Sequence, residues 1–178
     1  MKNTRNILAA LCVLFSCGYS GAADKLNTSP LVTLTMPDGS KVAAELALTP
    51  QSQARGLMFR EELPDNAGMI FVFKNVEIRT FWMKNTFISL DIVFLDAGMK
   101  VQNIFHRVPR SSAEQPESEV AKVSAPAKYV LELAAGKARK CGLKPGSVIK
   151  TSFSLDKPAG AARAVSTGTA VSPRKPAK

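Results

Sequence analysis

Residues Arg55 to Asp96 read "RGLMFREELPDNAGMIFVFKNVEIRTFWMKNTFISLDIVFLD", and the rest of the chain is organised around them. This stretch holds the only Trp of the chain, three of its six Met and six of its nine Phe. Polar residues lie between and beside these apolar runs: Arg60, Arg79, Lys84, Asn85, Thr86 and Asp91. Because polar groups held against a core must find partners, the stretch forms either a rigid structural network or a binding site.

Two uninterrupted apolar runs within this stretch, Gly68 to Phe73 and Leu90 to Leu95, are typical of strands buried on both faces. Upstream, Leu31 to Met36 alternates with period two, and Asp38-Gly39 is a hairpin turn signal before a second strand, Lys41 to Leu48. Further strands are predicted at Arg79–Asn85, Met99–Arg107, Lys128–Leu133 and Ser147–Leu155, with loops at Lys74–Ile78 and Val108–Ala127.

Two short helices complete the prediction. Thr49 followed by Pro50 indicates the start of a helix over Gln51 to Met58, because it places a capping hydroxyl before a proline at the first helical position. Ala134 to Cys141 forms the second helix, which Gly142 ends. The pattern predicts a mainly β fold, a compact antiparallel β-sandwich or barrel-like domain with two short helices.

Four segments carry a family resemblance: "GLMFRE", "AGMIFVF", "FWMKNTFISLDIVFLD" and "AKYVLELAAGKARKCGLKPG". In this order they resemble the blocks of DUF192, a family of domains of unknown function, over roughly Leu31 to Ile149. The resemblance implies a compact, mainly β domain with one or two short helices, and it implies no reaction. The chain has Ser89 where the family usually has Pro, which loosens the turn before Asp91.

The first residues have the composition of a secretory signal. Lys2 and Arg5 precede the apolar run Ile7 to Phe15, and small residues follow in "GYSGAAD". We predict a signal peptide over residues 1–23 and export to the periplasm, in a bacterial member of the family. Alternatively the signal ends before Cys17, which would then be acylated and anchor an outer-membrane lipoprotein.

A leader over residues 24–30 and a single domain over residues 31–155 follow the predicted signal. Residues 156–178 lack apolar periodicity and are predicted to be a disordered basic tail. Cys141 is the only Cys outside the signal, so the domain has no internal disulfide to depend on. We expect a monomer that meets the membrane only through a lipid anchor on Cys17.

The chain has 24 Lys and Arg against 14 Asp and Glu, which favours anionic partners. Nucleic acid is excluded among these, because its binding needs exposed aromatic residues among basic ones, whereas these aromatics lie in apolar strands. A small anionic ligand or an envelope polymer remains. The candidate ligand-binding residues are Arg55, Arg60, Lys84, Asn85 and Asp91, covered by the loop at 108–127. The competing interpretation is structural: Asp91 pairs with an Arg or Lys and holds strands together.

Two other functions stay open. A hydrolase or lyase could use Asp91 or Glu132 as its acid–base group, with Lys84 or Arg55 stabilising an anion. Cu(I) could bind Met58, Met69 and Met83 beside Trp82, although Met more often fills irregular cores. We expect no cofactor, and the preferred prediction is a non-catalytic, exported small-ligand-binding or accessory module.

Overall fold

A computed structural model describes residues 29–151, which form one seven-stranded sheet with two short helices. In chain order the elements are β1 (Leu31–Thr35), β2 (Lys41–Ala47), α1 (Pro50–Arg55), β3 (Ala67–Trp82), β4 (Leu90–Leu95), β5 (Val101–Val108), β6 (Lys122–Ala134), α2 (Lys137–Lys140) and β7 (Lys150–Thr151). The strand order is β5-β4-β6-β3-β2-β1-β7. The sheet curls into a half-barrel, so the predicted mainly β, barrel-like class with two short helices is confirmed.

The predicted signal peptide, most of the leader and the predicted basic tail lie outside the described residues. Within residues 29–151, no helix is long and apolar enough to cross a membrane.

One strand pair departs from the antiparallel expectation. β2 and β3 are parallel, from Ala43 opposite Ala67 to Ala47 opposite Phe71. Parallel neighbours need a crossover connection, and here residues 48–66 provide it with α1. The predicted helix start is present, because the Thr49 hydroxyl accepts a hydrogen bond from the Ser52 amide and Pro50 is the first helical residue. The helix ends earlier than predicted, at Arg55, because Gly56 turns the chain with φ +48°.

β3 and β6 form the longest ladder, and both are longer than predicted. Lys74–Ile78, predicted as a loop, belongs to β3, and β6 begins within the loop predicted at Val108–Ala127. The register shifts between Val72 and Glu77. Beyond the shift, residues 77–82 of β3 and 122–127 of β6 continue as a two-stranded ribbon. The ring of Phe81 in the ribbon lies 4.7 Å from that of Phe71 and 5.9 Å from that of Phe94, so the ribbon folds back over the sheet.

Apolar side chains cover both faces of the sheet. One face, here the α2 face, packs Ile70, Leu131 and Leu133 with α2 and the free Cys141. The other, the α1 face, packs Phe71, Phe94 and Val130 with the turn after α1 and with the ribbon. Residues directly opposite each other in a sheet share a face, and successive residues alternate between faces. Asp91, opposite Leu133, is therefore on the α2 face, whereas Glu132, opposite Ile92, is on the α1 face.

Candidate functional site

A cavity of about 530 Å³ opens on the α1 face of the sheet. Its walls are α1 with the turn that follows it, the ribbon, and the sheet itself. The amide of Gln53 holds α1 in place, since Nε2 donates hydrogen bonds to the carbonyl oxygens of Ala47 (3.2 Å) and Val72 (2.8 Å). The lining residues are Gln53, Ala54, Arg55, Gly56, Leu57, Met58, Phe71, Phe73, Ile78, Arg79, Thr80, Phe81, Trp82, Thr86 and Glu132.

Glu132 contributes the cavity's only carboxyl group. It lies in the central strand β6 between Met69 of β3 and Ile92 of β4, so its backbone is fixed by hydrogen bonds on both sides. The residue is 6% exposed, and its Oε2 has no hydrogen-bond partner among residues 29–151. Oε2 lies close to Gly56, where an added Cβ would be 3.9 Å from it and 3.4 Å from the Phe71 ring. These are ordinary contact distances, so it is the φ of +48° that favours glycine at this position beside the carboxyl.

Burial dominates the electrostatics of this carboxyl. It raises the pKa of Glu132 from 4.5 to about 8, and the attraction of the Arg60 guanidinium lowers that pKa only in part. Arg60 is itself bound to Glu45, with Nη1 and Nη2 at 2.6 and 2.7 Å from the two carboxylate oxygens. Arg60 therefore forms a bidentate ion pair with Glu45, and Glu132 Oε2 receives no hydrogen bond from it. At neutral pH the free protein therefore carries Glu132 mainly as an uncharged carboxylic acid.

Two further residues of the cavity have unsatisfied nitrogen atoms. Arg79 Nε and Trp82 Nε1 are buried without a hydrogen-bond partner in the described part of the chain. The rest of the Arg79 guanidinium is engaged, because Nη1 is 3.1 Å from Glu77 Oε2 and Nη2 donates to the Asn75 carbonyl oxygen at 2.9 Å. Of the four buried, unpartnered side-chain atoms within residues 29–151, three belong to residues that line this one cavity.

The predicted ligand-binding residues are distributed rather than gathered at one point. Arg55 lines the cavity and is exposed. Arg60 binds Glu45, as described, and Lys84 forms an ion pair with Glu117 and lies over the Trp82 ring at 4.9 Å. Asn85 is a turn residue with φ +53°, and its carbonyl oxygen accepts a hydrogen bond from the Phe59 amide at 2.7 Å. Asp91 lies on the opposite face of the sheet from the cavity.

Asp91 is fully buried and links three elements. Its Oδ1 accepts a hydrogen bond from the Arg107 amide of β5 at 2.8 Å, and its Oδ2 accepts one from the Ala138 amide of α2 at 2.9 Å. His106 Nδ1 is 3.8 Å from Oδ2. The structural interpretation of Asp91 anticipated an Arg or Lys side chain as its partner, and its close contacts are instead two backbone amides and an imidazole.

The residues considered for Cu(I) are divided between the cavity wall and the hydrophobic core. Met58 and Trp82 line the cavity, whereas Met69 and Met83 are buried in the core of the α1 face. Residues 29–151 contain no group of three or more His, Cys, Asp or Glu side chains placed to hold a metal ion.

The loop expected to cover the site is shorter and lies elsewhere. It spans residues 109–121 between β5 and β6, and none of these residues lines the cavity. Ser111 holds it against the turn after β3, since its hydroxyl donates to the Met83 carbonyl oxygen at 2.6 Å and its amide to that of Thr86 at 2.9 Å.

Sequence reasoning placed Glu132 only among catalytic alternatives, and it did not select Arg79, Phe71, Phe73 or Phe81 as site residues. A signal for Glu132 is nevertheless present. It is the one charged residue between Tyr129 and Gly136 in a run otherwise made of Val, Leu and Ala. A lone carboxylate in a strand that is buried on both faces has no solvent to face, so it must be paired or belong to a site.

Taken together, residues 29–151 form a small, single-sheet, mainly β domain with an aromatic-lined cavity that contains a buried carboxyl. Residues 32–151 match the DUF192 family, described as uncharacterized ACR, and the chain belongs to this family.

Two crystal structures are similar to it. A protein of unknown function from Novosphingobium aromaticivorans DSM 12444 is 38% identical, with a TM-score of 0.59 over 67% of this chain and 83% of that one. A protein from Sinorhizobium meliloti 1021, provisionally described as a transcription regulator, is 31% identical, with a TM-score of 0.57 over 68% of this chain and 92% of that one. A comparison with curated proteins gave no match.

The structural role of Asp91 predicts the effect of Asp91→Asn. The variant keeps one acceptor oxygen but places an amide NH₂ against a backbone N–H donor, so we expect a loss of about 2–4 kcal/mol of unfolding free energy. Urea denaturation measures it. Asp38→Asn is the matched control. Asp38 is exposed, and one of its oxygens accepts a hydrogen bond from the Ser40 amide, which the side-chain oxygen of Asn can also accept. An Asp91→Asn protein as stable as the control variant would contradict this role.

Proposed function

We propose that this protein is a non-catalytic small-molecule-binding protein and that its ligand occupies the cavity over Glu132. The observation that carries the proposal is the Glu132 carboxyl, which is nine-tenths buried, lines the cavity and has an oxygen without a hydrogen-bond partner. Leaving a buried polar group unsatisfied costs about 1–3 kcal/mol. A bound molecule that supplies the missing partner removes that cost.

The size and walls of the cavity support the same proposal. A volume of about 530 Å³ falls in the range of about 300–1,000 Å³ that is typical of sites for small organic molecules. Four aromatic side chains line it: Phe71, Phe73, Phe81 and Trp82. An apolar pocket with a few convergent polar groups is the usual composition of a ligand site.

An enzyme is the second candidate, and the raised pKa of Glu132 is the observation that favours it. A carboxyl with a pKa of about 8 in a cavity has the properties of a general acid. Asp91, the other candidate, accepts backbone hydrogen bonds on both oxygens and lies on the α2 face. The residues that line the cavity include no His, Cys, Lys or Asp, so Glu132 has no second acid–base group or strong nucleophile beside it. We therefore prefer binding to hydrolysis or elimination.

We also propose that the protein acts in the periplasm, as a soluble or lipid-anchored monomer. The support is the sequence of the first residues, with Lys2 and Arg5 before the apolar run Ile7 to Phe15. N-terminal sequencing of protein from an envelope fraction should give a start between Cys17 and Asp24. Protein recovered from the cytosol with Met1 intact would contradict export.

The binding proposal can be tested through Trp82, which is the only Trp of the chain and lines the cavity. We expect one or more compounds from a library of small organic molecules to change Trp82 emission and raise the melting temperature in the same concentration range. A ligand that binds the native state but not the unfolded state raises the melting temperature, because it stabilises the native state. Product analysis of each mixture by mass spectrometry tests the enzymatic alternative on the same samples.

Ala54→Phe supplies the blocked variant for this test. Ala54 is exposed on α1 and lines the cavity, so a larger side chain there obstructs the opening without entering the core. Ala97→Phe, in the exposed turn after β4, is the matched control. Both effects should be lost in Ala54→Phe and kept in Ala97→Phe. Binding that is equally strong in both variants would place the ligand outside the cavity.

A further inference from the structure

We infer that the ligand of this cavity is an organic amine whose protonated nitrogen forms an ion pair with Glu132. The inference rests on the proposed function and names the chemical class of its ligand. It is carried by the way the charged side chains around the cavity are already paired.

Each cation near the cavity has a partner or faces solvent. Arg60, from the β2–β3 crossover, gives both terminal nitrogens to Glu45 of β2. Arg79 of the ribbon pairs with Glu77 and lies over the Phe73 ring at 4.2 Å. Arg55 of α1 is exposed, so solvent and salt screen its charge. Among the residues that line the cavity, the buried charge-bearing group without a counter-ion is the carboxyl of Glu132.

The aromatic walls favour the same charge. Ring faces attract cations within about 6 Å of the ring centre, and this part of the chain already uses them in that way. Lys84 and Lys122 lie over the Trp82 ring at 4.9 and 4.5 Å. Phe71 and Phe81 meet edge to face at 4.7 Å, and Phe71 lies beside the Glu132 carboxyl around Gly56. An ammonium group next to Glu132 therefore meets its carboxyl and the Phe71 ring, and the unpartnered donors Arg79 Nε and Trp82 Nε1 remain for an acceptor atom elsewhere on the ligand.

Binding of such an amine is coupled to a proton. The free protein holds a proton on Glu132, because burial raises its pKa to about 8. When R–NH₃⁺ enters, Glu132 ionises, the O–H proton goes to solvent, and the product is the carboxylate paired with R–NH₃⁺. Below the free-state pKa, one proton is released for each amine bound. The affinity therefore rises with pH up to about 8, and it falls again as the amine loses its own proton near pH 10.

The test uses three probes of similar size: 2-phenylethylamine, 2-phenylethanol and phenylacetate. They share a phenyl body and differ in carrying an ammonium, a hydroxyl or a carboxylate group. Titration of the full chain, followed by Trp82 emission and calorimetry, should show the amine bound at least ~10-fold more tightly than either other probe at pH 8. At pH 6 the amine affinity should fall by at least ~10-fold, because Glu132 must then give up a tightly held proton.

Glu132→Gln and Glu62→Gln are the paired variants. Glu62 is an exposed glutamate of the crossover, so its variant removes the same chemical group away from the cavity. The preference for the amine should vanish in Glu132→Gln and persist in Glu62→Gln. If Glu132→Gln does not fold, calorimetry of the wild type in buffers of different ionisation enthalpy replaces it, and about one proton should be released per amine at pH 7.

Two results would overturn the inference. The first is binding of 2-phenylethanol or phenylacetate as tight as that of the amine at pH 8. The second is amine binding that releases no proton. If none of the three probes binds while another compound binds in the cavity, the amine inference fails and the proposed function stands. If no compound of any kind binds in the cavity, both fail.

Discussion

The pairing of β3 with β6 holds the two halves of the sheet together and forms the ribbon. Before the register shift, the β3–β6 ladder lies in the middle of the sheet and joins the parallel β2–β3 pair to the antiparallel strands β4 and β5. The shift in register between Val72 and Glu77 then lets the ladder continue as a ribbon that folds over the α1 face. Gly68 allows the strands to approach, since an added Cβ would be 2.8 Å from the Glu132 carbonyl oxygen. One ladder therefore provides the floor of the cavity, one wall, and the strand that carries Glu132.

Glu132 is a position where this arrangement buries an unfavourable group. An ionised carboxylate in an apolar, unpaired site is so unfavourable that the group keeps its proton instead. The protonated carboxyl still has an unsatisfied oxygen, and burial of Phe71, Phe94 and Val130 on the same face offsets the free energy that this costs. Asp91 differs from Glu132 in this respect. It is buried on the opposite face of the sheet, and two backbone amides donate hydrogen bonds to its carboxyl oxygens. Residues that break local rules without compensation are expected at functional sites.

Patterns of local sequence predicted the local elements well. Leu90–Leu95 is the strand expected from an apolar run, and Thr49-Pro50 starts a helix with the expected cap. The parallel pairing of β2 and β3 could not be predicted, because it depends on the path of a crossover. The ribbon was predicted in part, as a separate strand at Arg79–Asn85. Its continuity with Gly68–Phe73 was missed, because Lys74–Ile78 is exposed and has no buried face to give it an apolar pattern. The sequence could not show that Asp91 and Glu132 lie on opposite faces of the sheet, because strands buried on both faces have no apolar–polar alternation.

Glu132 is buried in the folded protein without a counter-ion. The most direct measurement is the free energy of unfolding of the wild type minus that of Glu132→Gln, from pH 4.5 to pH 9. The folded carboxyl has a raised pKa of about 8 and the unfolded one about 4.5, so the folded state binds more protons between these values. The wild type should lose stability relative to the variant as the pH rises through this window, by several kcal/mol, on the order of 4–5, and no further above it. A difference that stays constant from pH 4.5 to pH 9 would show instead that Glu132 is paired or solvated in the folded protein.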